Sequence, residues 1–210
     1  MLQIWLTPLV LVSGSLHLYA EYNGPRSRVY LLKPLTTTLI LLIAITTQNP
    51  VSLIYKWSLV IGLVFSLGGD IFLMLPNDHF LAGLVSFLIA HLAYILAFTG
   101  DARGVMIPWL GIPFLAYALI FYAYLAPSLD KRRIPVLIYS VVISVMAWAA
   151  WGRWIILAEG GALVAAIGAL FFVASDSLLA FNRFRHKIGW GQLAIMSTYY
   201  LAQLLLAWSI

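Results

Sequence analysis

The stretch IYKWSLVIGLVFSLGGDIFLML, residues 54–75, decides what kind of protein this is. As a helix rising ~1.5 Å per residue it is long enough to cross a hydrocarbon layer of ~30 Å, and after Lys56 its one charge is Asp70. A membrane strand would show about ten residues alternating in polarity, whereas this run is continuously apolar. Seven similar runs flank it, at approximately 3–20, 29–47, 79–99, 105–126, 134–152, 160–181 and 188–209. The breaks between them hold turn formers such as Tyr22-Asn23-Gly24-Pro25, Gln48-Asn49-Pro50 and Pro76-Asn77-Asp78. Short connections make consecutive helices antiparallel neighbours. The expected fold is all-α, a polytopic membrane protein whose eight transmembrane helices form one bundle, a single domain over residues 1–210.

Composition agrees. The 210 residues are 63% hydrophobic, 14% aromatic and 9% charged, with mean hydropathy +1.00, too few polar side chains to cover a surface in water. No cysteine is present, which excludes disulfides, thiol catalysis and thiolate metal sites. The net charge of +5 does not point to nucleic acid, because the basic residues are scattered over short loops. Arg26, Arg28, Lys33, Lys131, Arg132, Arg133, Arg183, Arg185 and Lys187 fall at the odd-numbered connections, while only Lys56, Arg103 and Arg153 fall at the opposite side. Positive charge marks the inside, so the odd connections are expected in the cytoplasm and both termini outside. Trp5, Trp57, Trp109, Trp151, Trp154 and Trp208 lie toward the other face and read as interfacial anchors. The first run lacks a basic flank and a small-residue cleavage site, as expected of a retained span.

An ionisable side chain within a span costs at least about 2.5–3.5 kcal/mol on insertion scales, so each one asks for a reason. Asp70, His91 and Asp176 stand out. Both aspartates are expected about five residues, or roughly 7 Å, from the basic end of their spans, each behind small residues, Gly68-Gly69 and Ala174-Ser175. A shift of 106 positions superposes Asp70 on Asp176, Phe65 on Phe171, Gly83 on Gly189 and Tyr94 on Tyr200, the pattern of two related four-helix halves. Gly83, Phe87, His91, Tyr94 and Phe98 form one stripe of the fourth span. Gln192, Met196, Tyr199 or Tyr200, and Gln203 form another on the eighth, where interhelical hydrogen bonding is the alternative role. His17, Glu21, Tyr30, Lys33 and Arg183 are placed around the cytoplasmic rim, where Lys33 and Arg183 suit a lipid phosphate. Asp78, Asp101, Asp130 and Glu159 read as solvated loop charges.

No G-x-S-x-G elbow, H-E-x-x-H pair or phosphate-cradling glycine loop is present. The ordered blocks LLKPLTT, SLGGDIFLML, FLAGLVSFLIAHLAYILAF, GALFFVASDSLLAFNRF and TYYLAQLLL resemble the YhhN family of multi-pass membrane lysoplasmalogenases. The fifth and sixth spans contribute little to that likeness. The resemblance implies hydrolysis of the vinyl ether bond of a lysoplasmalogen, with a lysophospholipid substrate met in membrane lipid. It carries Lys33, Asp70, His91, Asp176, Tyr199, Tyr200 and Gln203 into the site, and suits the inner membrane of a bacterium.

The chemistry fits the residues. A vinyl ether hydrolyses by protonation at carbon and capture of the oxocarbenium ion by water, so two carboxyl groups suffice without cofactor or metal. Asp70 and Asp176 are the expected pair, tuned by His91. Tyr94, Tyr199, Tyr200 and Gln203 are expected around the substrate, with Lys33 and Arg183 at its phosphate. A proton-coupled transporter and a metal-dependent intramembrane lipid hydrolase are the competing classes.

Overall fold

Without water to satisfy it, the backbone of each apolar run closes its hydrogen bonds within the run and becomes a helix. The computed structural model describes residues 2–100 and 106–210, so Asp101 and Arg103 lie outside the described residues. Among those described there are eight α-helices and no strand: α1 (Leu2–Asn23), α2 (Arg26–Thr46), α3 (Leu53–Met74), α4 (Phe80–Thr99), α5 (Gly111–Leu125), α6 (Arg133–Leu157), α7 (Gly160–Phe184) and α8 (Gly191–Trp208). Short 3-10 turns flank α5 and precede α6. Six of the helical stretches are long and apolar enough to cross a membrane, namely α2, α3, α4, α7 and those built around α5 and α6. Helix α1, with Ser13, His17 and Glu21, and helix α8, with Gln192, Tyr199, Tyr200 and Gln203, are not among the six.

Helix ends follow local chemistry. The Ser52 hydroxyl accepts the Tyr55 amide at 3.0 Å and caps α3. Ala158 takes a left-handed conformation (φ 52°) and closes α6 by donating its amide to the Trp154 carbonyl at 2.8 Å.

The tightest pairings are the hairpins α3–α4, α7–α8 and α1–α2; α4 and α7 then meet α6, and α2 meets α8. Small residues set the first of these. A Cβ at Gly62 would overlap the Tyr94 ring and one at Gly69 the Phe87 ring, so glycine lets α4 lay two aromatic rings directly on the α3 backbone. Helix α5 is held differently: only Gly111, Ala118 and Leu125 are buried, one residue every second turn, against α6. The outward faces stay apolar, with Ile120 and Ile134 each 71% exposed, a surface suited to lipid.

One charge lies deeper than expected. Arg153 was expected in a loop beyond a span ending at residue 152, but α6 continues to Leu157 and buries it to 2% exposure, its guanidinium 4.8 Å from the centre of the Tyr55 ring. The extra helical turn carries the side chain inward, where an aromatic face offsets part of its desolvation. Trp5, Trp57, Trp109 and Trp208 are exposed, whereas Trp151 and Trp154 pack edge to face at 5.1 Å, half-buried.

Candidate active site

At the basic end of the bundle a cavity of about 600 Å³ opens between α2, α3, α4, α7 and α8. A water molecule takes up ~30 Å³ of liquid, so this is room for a ligand. Lys33, Asp70, Phe87, Asp176 and Tyr199 form its inner wall, and Asp78, Arg132, Arg183 and Lys187 surround its mouth. The two aspartates from distant parts of the chain thus face one space.

Asp70 is 2% exposed and held from three sides. Lys33 Nζ lies 3.4 Å from Oδ1, while the Thr37 and Tyr199 hydroxyls donate to Oδ2 at 2.7 and 2.8 Å. Lys33 and Thr37 are one turn apart on α2, so a single helix face delivers both. A charge this deep persists only when paired and hydrogen-bonded, and Asp70 is both.

Asp176 has a different set of partners. The Tyr139 hydroxyl, from α6, donates to Oδ2. His91 Nε2 stands 3.7 Å from the same oxygen, and His91 Nδ1 lies 2.5 Å from the Phe87 carbonyl. A carbonyl only accepts, so the ring hydrogen is on Nδ1 and neutral His91 presents a lone pair toward Asp176. One further proton on either partner is what this 3.7 Å contact lacks to become a hydrogen-bonding pair. Consistent with this, Nε2 is a buried atom with no hydrogen-bond partner. The rings of Phe172 at 4.7 Å and Tyr139 at 5.3 Å fix the imidazole.

The remaining expected residues separate into two groups. Tyr199 lines the cavity, and Arg183 stands at its mouth. Tyr94, Tyr200 and Gln203 lie behind the wall. Tyr94 donates to Gln203 Oε1 at 2.8 Å and meets Ser66 at 3.2 Å, while Tyr200 meets His17 Nδ1 at 3.0 Å. His17, expected at the rim, is fully buried in α1, 3.8 Å from Glu21. Ser86 and Ser175 each donate to a backbone carbonyl of the neighbouring helix, Phe65 at 2.6 Å and Ile195 at 3.0 Å, and so tie the two hairpins that carry the aspartates.

Three participants were not singled out from sequence. Asp78, read as a solvated loop charge, is hydrogen-bonded to Arg183 and lies 3.4 Å from Arg132. The Arg183 hydrogen bond, more than any other influence, holds its carboxyl below the usual carboxylate range. Arg183 is in turn stacked 4.2 Å over the Phe80 ring. Thr37 was signalled by its one-turn spacing from Lys33. Tyr139 was signalled by the shift of 106, which carries Lys33 onto it as it carries Asp70 onto Asp176. Among the described residues, no three His, Asp or Glu side chains come close enough together to hold a metal ion.

These features define a class: a polytopic helical membrane protein with one buried and one partly buried carboxyl group and a buried imidazole around a cavity that opens through a basic mouth. Within that class the chain belongs to the YhhN family, which it matches over residues 29–210. It is similar to the protein named lysoplasmalogenase TMEM86A of Bos taurus, 34% identical over 161 residues, covering 71% of this chain and 63% of that protein. It is similar also to lysoplasmalogenase TMEM86B of Rattus norvegicus, 33% identical over 156 residues, covering 74% of this chain and 62% of that one. The chain thus spans less than two thirds of the length of these mammalian relatives. The "Uncharacterized membrane protein YhhN" of Escherichia coli O157:H7 is 27% identical over 184 residues, 88% of either chain. No solved structure matches.

Proposed function

We propose that this protein is a membrane hydrolase that cleaves the vinyl ether bond of lysoplasmalogens, releasing a fatty aldehyde and glycerophospho-ethanolamine or glycerophospho-choline. The observation that carries the reading is the pair of aspartates on one cavity wall with unlike partners. Asp70 faces an ammonium and two hydroxyl donors, as a fixed anion does, while Asp176 faces Tyr139 and the open nitrogen of His91. Unlike environments are what divide an acid role from an anionic one between two carboxyl groups.

In the reaction, Asp176, sharing its proton with His91, protonates the alkene carbon remote from oxygen. The positive charge that develops on the ether carbon is stabilised by Asp70 across the cavity. Water adds to that carbon and returns a proton to the Asp176–His91 pair, and the hemiacetal collapses to aldehyde and alcohol. The proton count is unchanged, so no cofactor or metal is required. Arg183 with Arg132 receives the phosphate at the mouth. Lys33 holds Asp70 and reaches the inner end of the headgroup, and Tyr199 orients the carboxylate. Tyr94, Tyr200 and Gln203 act from behind as positioning residues.

The wider arrangement belongs to the same proposal. Helices α1 and α8 also span, giving eight crossings in one domain with both termini non-cytoplasmic and the cavity mouth at the cytoplasmic face of a bacterial inner membrane. An internal repeat is supported by Lys33 touching Asp70 and Tyr139 touching Asp176 at the same offset of 106 positions. To test the activity, purified protein in detergent is given lyso vinyl-ether, diacyl and lyso-acyl phospholipids, and free aldehyde is measured. Aldehyde from the lyso vinyl ether alone is expected; fatty acid from the acyl lipids, or no product from any of them, would overturn the reading.

A further inference from the structure

A second space meets the cavity. A narrow crevice runs beneath α5, bounded by Leu84 and Phe87 of α4, Ala118 and Phe121 of α5, and Ile143 and Val173 of α6 and α7. Its walls are mostly apolar, and Asp176 lines both spaces, as do Phe80 and Phe87. The reactive carboxyl thus stands where a polar chamber with a cationic mouth turns into a hydrocarbon-lined slot. A single-chain phospholipid has the same order of parts: charged headgroup, glycerol, the bond at carbon 1, then the chain.

The slot is narrow. Its free volume is about 50 Å³ against about 600 Å³ for the chamber it meets, so a long chain enters only if a wall moves. Helix α5 is the wall with least to hold it. Only Gly111, Ala118 and Leu125 of α5 are fully buried, with Phe114, Phe121 and Tyr122 partly buried beside them, and its contact with α7 is slight apart from the Tyr124–Phe181 ring stack. At the crevice one polar link spans α5 and α7. The Ser177 hydroxyl gives its hydrogen to the Val173 carbonyl at 2.7 Å, so it accepts from the Tyr117 hydroxyl, also at 2.7 Å. Ser177 is the residue after Asp176, and the Tyr117 ring, stacked on Phe121 with centroids 5.9 Å apart, is 43% exposed on the outer face. The link is therefore a strap across the lipid-facing side of the slot, beside the reacting group.

We propose that the crevice is the hydrocarbon-chain subsite, and that α5, latched by Tyr117 to Ser177, swings outward to admit the chain sideways from the bilayer. The inference rests on the lysophospholipid reading for the occupant's class. It makes Ala118, at the buried middle of the α5 seam, the residue that sets how much chain the slot accepts. Tyr117 sets how readily the slot opens.

The test uses a saturated-ether lysophosphoethanolamine carrying a diazirine in mid-chain, a probe with no bond that the proposed reaction cleaves. The full chain in nanodiscs is irradiated with the probe and the labelled peptides are mapped. Labelling concentrated on the crevice faces of α5, α6 and α7 is expected. Ala118→Trp should reduce it about tenfold by filling the slot, with Ala118→Leu intermediate. Tyr117→Phe should raise the initial labelling rate without moving the labelled peptides. Labelling in the groove between α1 and α8, or spread over the lipid-facing surface and indifferent to Ala118, would overturn the proposal. The wild-type map stands even where a variant fails to fold. Because no hydrolysis is read, a correct map from a protein that releases no aldehyde would leave the subsite standing and refute only the vinyl ether chemistry.

Discussion

Replacing Lys33 by methionine tests whether the Asp70 cage is organised as described. Lys33 Nζ and Asp70 Oδ1 are 3.4 Å apart with both residues at most 5% exposed. At an effective dielectric of about 20 that separation corresponds to roughly 5 kcal/mol of attraction, which the desolvation of the two ions largely offsets, so the intact pair contributes little net stability. Removing one partner is another matter, because a buried carboxylate then remains with its desolvation cost and no counter-charge, a loss of about 3–5 kcal/mol. The Thr37 and Tyr199 donors, at 2.7 and 2.8 Å, remain and put the expected loss near the lower end, about 3 kcal/mol. Adding Asp70→Asn removes the orphaned charge and should recover all but about 1 kcal/mol. Tryptophan fluorescence during equilibrium unfolding in mixed micelles reads the stabilities, and aldehyde release reads function. The double variant should be stable yet slower by at least about a hundredfold, separating the structural role of the pair from the chemical role of Asp70. A Lys33→Met protein as stable as wild type, or a double variant less stable than both singles, would refute the reasoning.

Asp176→Asn should fold and lose at least about a hundredfold in aldehyde release, since acid–base groups contribute about 10²–10⁴; near-normal rates in both this variant and Asp70→Asn would exclude the pair. Asp78→Asn should lower KM with kcat unchanged, because it removes a resident anion that competes with phosphate for Arg183 and Arg132; a raised KM would show instead that Asp78 positions Arg183. Since Arg183 holds the Asp78 carboxyl below its ordinary value, the pairing is complete above the unfolded-chain pKa of about 3.9 and is lost only as pH falls through the lower folded-state value. The ratio of the two KM values should therefore be constant between about pH 5 and 7. Gly62→Ala, whose new methyl would overlap the Tyr94 ring, should destabilise by about 1–3 kcal/mol, and Tyr94→Ala in the same chain should relieve part of that. Unfolding measurements on the two singles and the double check this; purely additive losses would contradict the contact.

Asp70, His91 and Asp176 were legible as site candidates because a titratable side chain in an apolar run is expensive and therefore conspicuous. Thr37 and Tyr139 were not singled out, although the spacing from Lys33 and the shift of 106 point to them, since hydroxyl groups are cheap in a span and appear there for many reasons. Asp78 is the exposed loop charge its setting beside proline and asparagine suggests, but its pairing was not legible, because its two arginine partners, Arg132 before α6 and Arg183 in the last turn of α7, are far away in sequence. Arg153 was misread because one additional helical turn moves a side chain from solvent to core.

What the sequence by itself determined is the helical architecture and the short list of costly polar residues. Both follow from the solvent: a hydrocarbon surrounding imposes long apolar runs and makes each exception visible one residue at a time. Only the tertiary structure decided that Asp70 and Asp176 share a cavity with unlike partners, that Tyr94 and Gln203 stand behind its wall, and that a hydrocarbon slot meets it at Asp176. Those are relations between helices. Hydropathy reports how each residue meets its solvent and carries no information about which face of one helix meets which face of another.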